Sequence, residues 1–255
     1  MFREKFSPRL SMTIGLALFG MLAGCSGATT THQETAPSST PTGEIAKPAN
    51  TILADARGEL LAARSVRVTG TFAATSGDHA KERVDLRLGR GPKGEALAMG
   101  TVTTTVTKAG HVSQVVVSLL RAGETLYLRG DRDYYARIDP RVANVAGRWL
   151  SLPVGRDQSL SDLTAVTRFA AGLTTPDAGV EGQLKLGSQQ AIVVRAGGAL
   201  AYVSASGRPL LLRLQRPEGN AVAGILDFTD YGAALSVRPP ADAVALQSVL
   251  ASPSS

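Results

Sequence analysis

One cysteine, three histidines and one tryptophan in 255 residues, with aromatics at 5% of the chain, remove several kinds of protein at once. A single Cys cannot build a disulfide framework or a Cys-cluster metal site. His79 and His111 fall in predicted turns with no third ligand near them, and His32 lies in a polar stretch without supporting ligands, so a zinc site is not expected. The scarcity of aromatics means that any core must be mainly aliphatic. Compact blocks of one charge are absent as well. The formal charge is +6. Without residues 1–24 the balance is 24 basic against 20 acidic residues, or +4. Arg57, Arg64, Arg67, Arg83, Arg87, Arg121, Arg137, Arg148 and Arg168 are scattered and not interleaved with aromatics, which argues against a nucleic-acid interface. With 44% hydrophobic residues the chain is nevertheless long enough to bury a sizeable core.

The catalytic motifs sought are missing in the same way. Gly89-Arg-Gly-Pro-Lys-Gly94 matches the dinucleotide fingerprint in letters, but a strand-like run follows it where a helix start is required. It reads as a glycine-rich hairpin loop. No G-x-S-x-G elbow occurs. Asp131 and Asp133 lie in a charged turn, and Asp227 alternates with Leu226 and Phe228 as a solvent-facing strand residue, so neither Asp131/Asp133 nor Asp227/Asp230 has the setting of an acid–base pair. Tyr134 and Tyr135 read as packing residues, with a cavity mouth as the other reading. The expectation is no catalytic residue, no metal, no cofactor and no enzyme.

The N-terminus carries the strongest positive signal. A charged segment, residues 1–11, precedes the apolar run 12–23, which is the length of a secretory h-region and too short to span a bilayer, where about 20 apolar residues are needed. The run ends in Leu22-Ala23-Gly24-Cys25, which resembles the bacterial lipobox. That resemblance implies cleavage before Cys25, the sole cysteine, and its acylation, which anchors the mature chain to the outer side of the cell membrane. Residues 26–50 are rich in Thr, Ser and Pro and too poor in bulky apolar residues to offset chain entropy, so a disordered tether is expected there, and a loose tail at 251–255. Residues 51–250 are expected to form one domain.

Within it, Ile52, Leu53, Ala56, Leu60 and Leu61 recur at helical spacing over 51–63, after Asn50 as candidate cap. Period-two alternation then predicts strands at 65–73, 84–88, 97–102, 112–120 and 126–129. One helix is predicted over 161–171, strands at 181–187, 190–196, 199–205, 209–216, 221–229 and 233–238, and a terminal helical turn in 241–250. The expected fold class is α+β: a large curved antiparallel sheet, a half-barrel of about ten strands, packed on two or more helices, with one face apolar and the other solvated.

The order of elements, with Ser65-Val-Arg-Val-Thr-Gly70, Gly123-Glu-Thr-Leu-Tyr-Leu-Arg129, Asp133-Tyr-Tyr135, the strand Gly224-Ile-Leu-Asp-Phe-Thr-Asp-Tyr-Gly232 and then Val237-Arg-Pro-Pro240, resembles the actinobacterial LppX/LprG-type lipoproteins over about residues 51–240. Their fold is similar to that of the LolA/LolB carriers. The resemblance implies a half-barrel over helices enclosing a hydrophobic cavity, an acylated lipid or glycolipid as ligand, and carriage or presentation of that ligand in the cell envelope. It leaves the protein partner open, an envelope transporter being one candidate. A structural or partner-docking lipoprotein with a filled core is the other reading. Alternation supplies the candidate lining: Val66, Val68, Phe72, Val84, Leu86, Leu97, Met99, Val115, Val117, Leu126 and Leu128. The opposite phase, with Arg67, Asp85 and Arg87, is too charged to face hydrocarbon.

Overall fold

The computed structural model describes residues 46–73, 80–108, 110–216 and 223–251. The signal segment, Cys25, His32, most of the predicted tether, the turn at 76–78, His79 and the tail after 251 lie outside the described residues.

The chain enters through helix α1 (Ala49–Ala62), which buries Ile52, Leu53, Ala56 and Leu60. Each such aliphatic side chain contributes about 1.5–3 kcal/mol on burial. Asn50 sits inside the helix instead of capping it: Pro48 is the cap residue, and its carbonyl accepts from the Thr51 and Ile52 amides. A run of strands follows: β1 (Ser65–Ala73), β2 (Ala80–Arg90), β3 (Ala96–Lys108), β4 (His111–Ala122) and β5 (Thr125–Arg129). Helix α2 (Arg132–Ile138), capped by the Asp131 carboxylate, and a 3-10 turn (Pro140–Val145) lead to β6 (Leu150–Pro153). Short helices α3 (Gln158–Leu163) and α4 (Val166–Ala171) precede β7 (Gly179–Leu186), β8 (Gln189–Ala196), β9 (Ala199–Ser204), β10 (Leu211–Arg216) and β11 (Gly224–Thr229). The described chain closes with β12 (Val244–Ala245) and α5 (Leu246–Ala251).

The strands form one unclosed sheet in the order β12-β6-β5-β4-β3-β2-β1-β11-β10-β9-β8-β7. Two meanders, β1–β6 and β7–β11, are joined by the antiparallel pair β1–β11, in which Val68 faces Phe228. The short strand β12 runs parallel to β6, and the other pairs are antiparallel. The expected class, a large antiparallel sheet with helices, therefore holds, with twelve strands where the alternation counts about ten.

Topology dictates where the helices go. The connection from β6 to β7 starts one strand from one edge of the sheet and ends at the other edge. It carries α3 and α4 over the inner face, where α4 meets α1 and Phe169 packs edge-on against Phe228 at 5.8 Å. The inner face and these helices share one core, with Leu86, Leu119, Leu126, Leu128, Leu150, Ile192 and Phe228 among its members. Gly70 and Gly100 hold inner-face positions with φ of +157° and +151°. A Cβ at either would run into a main-chain oxygen of the neighbouring strand, Ile225 or Asp85.

Four sequence expectations are corrected. The single helix over 161–171 is broken at Thr164–Ala165: the Thr164 hydroxyl bonds back to the Ser161 carbonyl at 2.8 Å, and Ala165 is extended. Arg121, on the inner face and 8% exposed, donates to the Gly123 carbonyl and to the Thr164 hydroxyl, fastening that break to the sheet. The segment 233–238 joins no strand, because β1 already has β2 and β11 as neighbours and the free edges lie elsewhere. Leu97 and Met99 lie on the outer face, opposite to the predicted phase. Ala98, Gly100 and Val102 pair with the inner residues Leu88, Leu86 and Val84, while Met99 pairs with Arg87. Finally, the outer face is not uniformly solvated. Over β1, β2, β10 and β11 it carries the pairs Arg67–Asp85 and Arg213–Asp227, but over β8–β10 a second apolar cluster forms from Ala191, Val193, Tyr202 and Leu212.

Candidate functional site

The sheet and the α3–α4 layer do not meet everywhere. Where β1, β2, β10 and β11 pass beneath them, a cavity of about 310 Å³ remains. Its floor and roof are five bulky apolar side chains: Phe72 from β1, Leu214 from β10, Leu226 from β11, Leu163 from α3 and Phe169 from α4. Its rim carries Glu82, Asp162, Arg168 and Arg216. Larger depressions of about 650 and 830 Å³ occur at the end of α1 and at the ends of β1, β10 and β11, but each is lined by only two bulky apolar residues, Leu61 with Leu235 and Phe72 with Ile225.

Register explains the geometry. Glu82 pairs with Phe72, Phe72 with Gly224, and Gly224 with Arg216, so these four residues form one rung on the inner face across β2, β1, β11 and β10. Glycine at position 224 leaves the centre of the rung without a side chain; a Cβ there would lie 2.5 Å from the Phe72 Cα and Cβ. The next rung inward, Val84, Gly70, Leu226 and Leu214, has another glycine.

Electrostatics divide the rim. Arg168 is held by Asp162 at 3.0 Å. Glu82 is half-buried, and desolvation pushes its carboxyl above the usual glutamate range, with the Asp157 charge adding to the effect. Neither Glu82 nor Arg216 has a hydrogen-bond or ion-pair partner among the described residues. Away from the rim, burial raises Tyr134, and Tyr135 is fully buried with its hydroxyl between the Leu128 and Arg148 carbonyls at 2.7 and 2.6 Å. Both are packing residues.

Of the eleven residues singled out by alternation, Phe72 lines the cavity. Val66, Val68, Val84, Leu86, Val115, Val117, Leu126 and Leu128 lie on the same inner face but are packed into the core, at 6% exposure or less. Leu97 and Met99 are on the other face, and Cys25 lies outside the described residues. Some of the remaining cavity residues were within reach of the same pattern. Leu163 and Phe169 share a face of the helix predicted over 161–171, and extending the β2 alternation back from Val84 places Glu82 inside. Arg216 carried no signal, since a charged strand end reads as solvated.

Neither a protein-family profile nor a curated protein matches the sequence. Among solved structures, LprF from Mycobacterium bovis superposes with a TM-score of 0.54 at 16% identity, covering 75% of this chain and 96% of LprF. The chain has the fold of LprF. Lipoprotein LppX from Mycobacterium tuberculosis aligns at 13% identity over 74% of this chain and 98% of its own, with a TM-score of 0.45. A LolA superfamily protein from Nitrosomonas europaea aligns at 14% identity over 76% and 96%, with a TM-score of 0.27. The likeness to LprF concerns the arrangement of sheet and helices.

Proposed function

We propose that this chain is a lipid-anchored extracytoplasmic lipoprotein that binds an acylated lipid or glycolipid in the cavity between sheet and helices and carries or presents it in the cell envelope. The observation that carries the reading is the cavity itself: five bulky apolar side chains around about 310 Å³, with Glu82, Asp162, Arg168 and Arg216 as the charged part of its lining. An acyl chain there is held by burial, at roughly 25 cal/mol per Å² of apolar surface removed from water, and no catalytic set is required. The LprF fold and the apolar run ending in Leu22-Ala23-Gly24-Cys25 support the same reading, with Cys25 as the acylated first residue of the mature chain.

The full chain carrying Cys25→Ser, purified without detergent and extracted with organic solvent, is expected to release a lipid detectable by mass spectrometry. Leu163→Trp, at the cavity wall, is expected to abolish that lipid at an unchanged melting temperature. Val117→Trp, in the packed core, should instead lower stability by about 1–3 kcal/mol through overpacking. The second reading, a partner-docking lipoprotein with a filled core, draws on the close packing of the other inner-face residues. It prevails if the unmodified cavity yields no lipid and Leu163→Trp melts lower in the manner of Val117→Trp. Fatty-acid labelling of the native chain that persists after Cys25→Ser would reject the anchor.

A further inference from the structure

We infer that the cavity selects an amphiphile with an anionic head, seating the head at Arg216 and a chain along Phe72, Phe169 and Leu226; the inference rests on the lipid-binding reading above. The cavity of about 310 Å³ opens to solvent and has room for a segment of an acyl chain against its apolar side chains.

Charge sets the head. Arg216 closes one end of the rung Glu82, Phe72, Gly224, Arg216. Its guanidinium stays charged at any physiological pH and offers a planar fork suited to carboxylate or phosphate. No described residue occupies that fork. The acidic groups that share the rim do not serve it. Asp162 is committed to Arg168 at 3.0 Å, and Glu82 stands on β2, three strand spacings or about 14 Å away along the backbone. Glu82 is half-buried, and desolvation raises its carboxyl, so the end of the cavity away from Arg216 disfavours an anionic head. The cavity thus carries an exposed cation with no partner among the described residues at one end, apolar side chains in the middle, and a half-buried carboxyl at the other end.

The test uses the full chain carrying Cys25→Ser, loaded with the uncharged fluorophore N-phenylnaphthylamine and titrated with decanoate, decyl phosphate or decanol. The anionic amphiphiles should displace the fluorophore at concentrations about tenfold or more below decanol, the size expected for a hydrogen-bonded charged contact. Which anion wins separates a carboxylate from a phosphate head. Arg216→Gln should erase the difference while fluorophore binding persists. Should that variant not fold, raising the salt concentration on the unaltered cavity should narrow the gap for the anions and leave decanol unchanged. Equal displacement by decanol and the anions overturns the head-group assignment but leaves lipid binding standing. Failure of the fluorophore and all three ligands to bind removes the lipid-binding reading itself.

Discussion

Glu82 is the residue whose ionisation the fold disfavours most directly at the candidate site. Its pKa is raised by desolvation and by the charge of Asp157, so the folded chain holds the protonated form more readily than the unfolded chain does. The cost of keeping Glu82 ionised is present in full above the raised pKa. It fades as the pH falls through that value and is gone below the ordinary glutamate pKa. Glu82→Gln should therefore raise the melting temperature at neutral pH, and the gain should vanish below about pH 4. A gain of equal size at both pH values would show that the carboxyl is not ionised against its surroundings. The opposite sign applies to Asp85, whose pKa is lowered by the hydrogen bonds from Arg67. Its pairing is fully present above the ordinary aspartate pKa and is lost as the pH falls through the lowered one. At the backbone, Gly70→Ala should destabilise the chain by about 3 kcal/mol, because the new Cβ meets the Ile225 carbonyl and the residue keeps a φ of +157°. Denaturant unfolding measures this, and a loss under about 1 kcal/mol would mean that β1 and β11 can separate without penalty.

At the scale of elements, the cavity exists because a short helical layer is held off the sheet. α3 and α4 have six residues each, below the length at which helices persist on their own, so tertiary contacts must hold them. Arg121 is the link: its guanidinium joins β4 to the hydroxyl of Thr164 at the break between α3 and α4. Arg121→Met keeps the side chain long and apolar and removes the charge together with its hydrogen bonds. It should cost about 1.5–3 kcal/mol and raise hydrogen exchange in α3 and α4 more than in β1–β4. Uniform exchange across sheet and helices would assign Arg121 a general packing role. The outer-face ion pairs Arg67–Asp85 and Arg213–Asp227 are partly exposed, and such pairs contribute little, about 1 kcal/mol or less. They keep the outer phase soluble over the centre of the sheet, whereas the β8–β10 region uses apolar packing on both faces.

For the molecule as a whole, the described residues form one compact unit, and the two meanders are joined by the β1–β11 pair. Composition proposes a tether over 26–50, of which Lys47, paired with Asp55 at 2.7 Å, and the first residues of α1 from Ala49 belong to the folded unit. Limited proteolysis should cut first between Thr29 and Glu44 and leave a core that unfolds in a single transition. A stable fragment ending near residue 150 would show instead that the first meander folds without the second.

The sequence by itself determined the elements that depend on local periodicity. Side-chain alternation identifies β1, β2 and β4 with their inner residues, because successive side chains on a strand point to opposite faces. The helical spacing of Ile52, Leu53, Ala56 and Leu60 identifies α1. The same rule misassigns β3, where the bulkier residues Leu97 and Met99 lie outside and the smaller Ala98 and Gly100 inside. At Gly100 the inner position sits too close to the β2 backbone to admit a Cβ, so packing there reverses the size pattern that the reading relies on. The pairing of β1 with β11, the break at Thr164 and the cavity were decided by the tertiary structure alone. Periodicity fixes which face a residue takes within its own strand. It does not fix which strands become neighbours, and the rung that places Arg216 on the same line as Glu82 depends on a pairing of residues more than a hundred positions apart.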